Sequence, residues 1–181
     1  MKSIKILGLA LATTALFSCA GEPSLQEYYV ENQQDSKFIA VDVPTSMFTN
    51  TEELDDNQKA TLKTVKKINL LALPVKQSKE EYEAEKIKLA EILKDEKYQL
   101  LMKYGSNNRK AEIYFTGAED AIDEIIVYGY DDTKGVGVAR VLGDDMNPQK
   151  LMELMKSLNE GDLDVEGLKG ITGMFNSEIG E

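Results

Sequence analysis

One cysteine, Cys19, stands in 181 residues, so no second thiol exists for it to pair with. Whatever the chain folds into is therefore held by its core, without an internal disulfide. The same cysteine closes a leader. Lys2 and Lys5 precede an uncharged run from Ile6 to Phe17, and Ser18, Cys19, Ala20 and Gly21 follow. A short basic region, a short apolar region and then small residues is the order of an export signal. The twelve residues of the run reach about 18 Å as a helix, whereas a bilayer core of about 30 Å needs roughly 20 residues. Residues 1–18 thus read as a transient signal peptide rather than a permanent span.

From Cys19 to Glu181 there are 163 residues, a normal size for one domain. Without Lys2 and Lys5 there are 19 basic against 32 acidic side chains, a net charge of −13. Such a surface is repelled by nucleic acid, which is excluded as a partner, and it favours solubility, cations or basic proteins. Residues 19–36 are polar, with only Leu25, Tyr28, Tyr29 and Val30 to pack, and read as a tether with a short ordered piece around those four. Residues 161–181 read as an acidic, glycine-rich tail, partly ordered at best, in which "LKGITGMF" is able to dock as a last short helical turn. The folded domain is expected over 37–160.

Within it the elements alternate. "KFIAVDVP" (37–44) is a short strand ended by Pro44. Thr49 or Asn50 caps a first turn, and Asp55 or Asp56 caps a helix with Leu62, Val65 and Ile68 or Asn69 on one face. "INLLALPV" (68–75) is apolar throughout and reads as an interior strand. Ser78 and Glu81 have capping-box spacing ahead of a helix with Tyr82, Ile87, Leu89, Ala90 and Leu93 as its apolar set. Four segments follow as a meander, 98–105, 111–117, 124–131 and 136–143. The first of them is equally able to continue the helix, and "AEDAID" is a candidate helical turn. Asn147 caps and Pro148 opens a closing helix with a stripe of Leu151, Leu154, Met155 and Leu158. The pattern predicts an α+β fold, a mostly antiparallel sheet of four to five strands with helices packed on one face.

Chemistry is sparse. With no histidine, the usual zinc ligands, the usual neutral-pH base and every Ser/His/Asp or Cys/His arrangement are missing. Arg109 and Arg140 are the whole guanidinium supply. Carboxylates cluster at Asp131-Asp132, at Asp144-Asp145 and at Asp162, Asp164 and Glu166. The last two clusters are weak candidates for a cation, but no calcium-loop spacing accompanies them, and solvated turns explain them as well. Gly135-x-Gly137 runs into a strand rather than a helix, so no phosphate-binding loop is present. No cofactor is expected, and the composition weighs against an enzyme.

Tyrosines carry the remaining signal. Alternation puts Tyr114 on one strand, and Tyr128 and Tyr130 on the next, on faces that could coincide. On a side without helices they would form an aromatic protein-contact patch; the alternative is that they shield the sheet or lie under a terminal segment.

Two resemblances follow from these residues. Leu16-Phe17-Ser18-Cys19 resembles the lipobox of bacterial lipoproteins, which implies that Cys19 becomes the acylated first residue of the mature chain, where two or more acyl chains anchor stably. Further on, "FIAVDVPTSMF" (38–48), "INLLALPV" (68–75), "YQLLMKYGSNNRKAEIYF" (98–115), "EIIVYGYDD" (124–132) and a late strand entering Gly143-Asp144 together resemble the Bacteroidetes lipoproteins known as domain of unknown function 4252. That resemblance spans roughly 37–158 and implies an acylated envelope protein with no catalytic residues to carry over. Ala20 after Cys19, and "AGEPS" without an acidic run, imply by analogy an outer-membrane lipoprotein facing the periplasm. The expected role is a non-catalytic binding or accessory domain with an envelope protein as partner; the alternatives are a structural envelope-maintenance component or a carboxylate-based hydrolase.

Overall fold

The computed structural model describes residues 23–45 and 54–157. Its chain order is α1 (Leu25–Asn32), β1 (Ile39–Pro44), α2 (Asp56–Thr64), β2 (Val65–Pro74), α3 (Lys79–Ile92), β3 (Gln99–Gly105), β4 (Arg109–Ala118), β5 (Ala121–Asp131), β6 (Gly135–Met146) and α4 (Pro148–Ser157). The strands form one sheet in the order β1-β2-β6-β5-β4-β3, with every neighbouring pair antiparallel.

Local chemistry explains most boundaries. The Asp55 side chain accepts from the Gln58 N–H while the Gln58 side chain returns the bond, so α2 opens with a capping box. Ser78 caps α3 by accepting from the Glu81 N–H, and Asn147 caps α4 by accepting from the Lys150 N–H at 3.0 Å. In β2, Leu70 and Leu71 are both buried, one on each face, as an interior strand requires. The strand begins at Val65, earlier than hydropathy suggests, because Val65 takes an extended conformation straight after Thr64.

The α+β class and the antiparallel sheet are as the alternation predicts, with six strands instead of four or five, and the helices lie on both faces of the sheet. On one face α1 and α3 bury Leu25, Tyr28, Tyr82, Leu89 and Ile92 against Leu71, Leu73, Ile126, Tyr128, Val136 and Val138. On the other, Leu151 of α4 joins Val65, Phe115, Ile122 and Met146. A sheet apolar on both sides needs two covers, and β6 and β5 supply apolar side chains in both directions.

Three further expectations change. Residues 25–32, placed in the tether, are a core helix: Leu25, Tyr28 and Tyr29 lie at i, i+3 and i+4 and are all buried. Ile87, placed on the apolar face of α3, is exposed, and Ile92 takes its place in the core. The stretch 118–123 is a tight hairpin between β4 and β5 rather than a helical turn. Thr49, Asn50 and the 161–181 tail lie outside the described residues.

Candidate functional site

The three tyrosines do share a face, but it is the face beneath α3. Tyr128 is 1% exposed, and its hydroxyl donates to the Lys86 carbonyl of α3 at 3.1 Å. Tyr114 and Tyr130 pack half-buried against the same core, with the Tyr114 hydroxyl donating to Glu112 at 2.9 Å and Lys86 lying 4.8 Å from the centre of the Tyr130 ring. Tyr128 is thus interior to the α3-sheet packing, while Tyr114 and Tyr130 are half-buried beside it. Alternation placed the rings on one side, and only the position of α3 decided which side was covered.

Burial pushes the Tyr114 hydroxyl up to about 12, with its bond to Glu112 adding to the shift. The hydroxyls of Tyr28, Tyr29, Tyr82 and Tyr128 are also raised, burial being the largest cause in each. An unfolded tyrosine ionises near pH 10. Above that pH the unfolded chain binds fewer protons than the folded one, so stability falls as pH rises through the folded values. We expect the urea midpoint to be flat between about pH 6 and 9, where a histidine-free chain has little to titrate, and to drop above pH 10. The part of the tyrosinate absorbance that belongs to these five of the eight tyrosines should then appear only with the loss of far-UV dichroism; full ionisation of all eight on a still-folded protein would contradict it.

The carboxylate pairs are engaged locally. Asp132 accepts from the Tyr82 hydroxyl at 2.6 Å and lies 3.5 Å from Lys86. Asp131 accepts from the Thr133 N–H and hydroxyl across the β5-β6 turn. Of the cation candidates, Asp144 pairs with Lys66 at 2.5 Å and Asp145 sits at a positive φ of 49° where β6 ends. Asp162 and Asp164 lie outside the described residues. Among the described residues no three acidic or thiol side chains converge in a way that would hold a metal ion.

Two features that pattern reading missed are built by tertiary contact. The first is a polar seam locking α1 onto the sheet. Arg140 of β6, 4% exposed, pairs with Glu124 of β5 and donates to Gln26 of α1 at 2.7 Å. Beside it the Tyr29 hydroxyl donates to Asp42 of β1 at 2.6 Å, and Asn69 of β2 donates to the same carboxylate. The α1 N-terminus is held too, since the Leu25 N–H donates to the Tyr98 hydroxyl at 3.2 Å. The seam's residues are scattered over more than a hundred positions, so no local signal points to it.

The second feature is β3, an edge strand paired only with β4. All seven of its residues are exposed, and Leu100, Leu101, Met102 and Tyr104 are each more than half exposed. Among the described residues no strand lies beside its outer backbone groups, and the only charge in the strand is Lys103. The opposite edge is blunted by Pro44, which has no N–H, and by Asp42. A long apolar edge beside a protected one is the arrangement that recruits an additional strand. The sequence signal was present in "QLLMKY", whose apolar residues run on without alternation.

The chain matches the family described as Domain of unknown function (DUF4252) over residues 28–154. It belongs to that family. The matched span covers α1 from Tyr28, every strand of the sheet and α4 as far as Leu154, so the DUF4252 unit includes the core helix that composition had assigned to a tether. No curated protein and no solved structure matches the chain. Among the described residues no helix is long and apolar enough to cross a membrane.

Proposed function

We propose that this DUF4252 protein is a cell-envelope lipoprotein, anchored through Cys19 in the outer membrane on its periplasmic side, that acts as a non-catalytic binding or accessory domain. The β3 edge carries the reading. Its outer backbone groups, with no strand beside them among the described residues, offer hydrogen bonds to an extended segment of an envelope protein, and Leu100, Leu101, Met102 and Tyr104 offer apolar contact to that segment's side chains. The start of α1 adds a geometric condition. Four residues lie between Cys19 and the cap residue Ser24, so the five steps reach at most about 18 Å. An acylated Cys19 would therefore hold the whole domain close to the bilayer rather than on a long leash.

In vivo crosslinking of the wild-type lipoprotein, with identification of what is attached, tests the binding role. Leu100→Lys together with Met102→Lys, both on already exposed positions, should lower recovery of the attached partner at least tenfold with the urea midpoint unchanged. Equal recovery would remove the edge from the reading. Cys19→Ala should move the protein from the membrane fraction to the soluble fraction, and retention in the membrane would refute the anchor independently of the edge.

A further inference from the structure

Helix α1 lies across the sheet, and three hydrogen bonds give its direction. The Tyr29 hydroxyl donates to Asp42 of β1 at 2.6 Å, Gln26 accepts from Arg140 of β6 at 2.7 Å, and the Leu25 N–H donates to the hydroxyl of Tyr98, the residue that precedes β3. Since β1 and β3 are opposite edges of the sheet, α1 points its N-terminus toward β3. The chain before Ser24 therefore leaves the domain on the β3 side. Five strand spacings separate the two edges, about 24 Å, whereas the five steps from Cys19 to Ser24 reach at most about 18 Å. An acyl group on Cys19 thus brings the β3 side to the bilayer and leaves the β1 edge pointing away.

Two surfaces flank that exit, and their charge differs. The Gln99 side chain of β3 donates to the Gly117 carbonyl at 3.1 Å, which places the β4-β5 hairpin close by. That hairpin exposes Glu119, Asp120 and Asp123, and anionic headgroups repel it. The other surface is β3 with its turn into β4. From Lys97 to Ala111 there is no acidic residue, whereas Lys97, Lys103, Arg109 and Lys110 are basic. Lys97 pairs with Asp95 at 3.2 Å and Lys110 with Glu112 at 2.8 Å, while Lys103 is exposed on the strand itself. The acidic excess of the whole chain acts weakly at this edge, because exposed charges more than about 8 Å apart are screened at physiological salt.

We propose that the domain stands on an anionic lipid surface on its β3 edge, with Leu100, Leu101, Met102 and Tyr104 at headgroup level and Lys97 and Lys103 against lipid phosphate. The four apolar side chains are each more than half exposed and lie between the cations along the strand. At an interface the apolar chains leave water while the ammonium groups meet opposite charge, so the two contributions act together. Tyrosine suits this depth, with an apolar ring and a hydroxyl that stays wet. The outer N–H and C=O groups of β3 fix how deep the edge can go, because headgroup oxygens and water satisfy them whereas hydrocarbon does not. This orientation rests on the acylation of Cys19 proposed above and adds a condition to the binding role. An envelope protein meets the edge through a segment that itself lies at the membrane surface.

An acylated Cys19 offers no free thiol, so Leu101→Cys in the lipid-bearing chain supplies a single site for an environment-sensitive dye. In vesicles of equal parts phosphatidylglycerol and phosphatidylethanolamine, nitroxide on the headgroups should quench this dye at least threefold more than the same dye at Ile39→Cys, an exposed position on the β1 edge. Lys97→Gln with Lys103→Gln should at least halve that difference, with flotation and the urea midpoint unchanged. Equal quenching at the two positions in protein that floats with the vesicles overturns the orientation and leaves the anchor standing. Protein that does not float overturns both. A dye at Leu101→Cys whose emission is already shifted to the blue in the lipid-free Cys19→Ala chain would show the edge covered by the chain itself, and overturns the orientation as well. Recovery of a crosslinked partner, read separately, decides the binding role.

Discussion

Arg140→Met should lower the unfolding free energy by about 3–5 kcal/mol, the usual cost of leaving one partner of a buried ion pair alone. Arg140 and Glu124 side chains are 5% and 13% exposed, so removing the guanidinium strands the Glu124 carboxylate where water reaches it poorly. The Gln26 carbonyl loses its donor at the same time, and with it one of the bonds that fix α1 to the sheet. Urea denaturation reads the loss, and amide exchange should show α1 opening first, ahead of β2 and β6. Replacing both Arg140 and Glu124 by methionine should recover at least half of the stability, because two apolar side chains of similar length need no partner. A single variant costing less than about 1 kcal/mol, within the range of an exposed pair, would show that the seam is solvated and that α1 is held by packing alone.

Gly135→Ala should be comparably damaging, on the order of 3 kcal/mol, for a backbone reason. Gly135 has a φ of +150°, which side chains rarely adopt, and a Cβ there would land on the Leu73 carbonyl oxygen of β2, with the Pro74 Cα at 2.9 Å. The neighbour is main chain of an interior strand and cannot swing aside. Gly137→Ala is the control: it has no positive φ, and its nearest atoms would be the Leu71 carbonyl oxygen at 3.0 Å and the Ala72 Cβ at 3.1 Å. It should cost less than half as much. Equal thermal midpoints for the two variants would mean that the β5-β6 turn can relax away from β2.

How much of this was legible in the chain differs from element to element. The caps at Asp55, Ser78 and Asn147 and the interior character of "INLLALPV" were readable because each rests on neighbours within four residues or on a continuous apolar run. Helix α1 was also readable, since "SLQE" has the spacing of a capping box and the structure forms it, with Ser24 accepting from Glu27 and Glu27 returning the bond. Its polar surroundings drew the reading toward a tether. The site was less legible. Alternation put Tyr114, Tyr128 and Tyr130 on a common side, but which side a helix covers is not a property of the strand.

By itself the sequence determined the covalent and local matters: a lone Cys19 after an uncharged run, no histidine, and strands and helices whose type follows from periodicity and caps. Tertiary structure alone decided that helices cover both sheet faces, that Tyr128 is interior, that Arg140 meets Glu124 and Gln26, and that β3 rather than β1 is the open edge. The division has one cause. Hydropathy and capping act over a few residues, whereas strand order and helix placement are set by which apolar faces can be buried together once the chain has closed on itself.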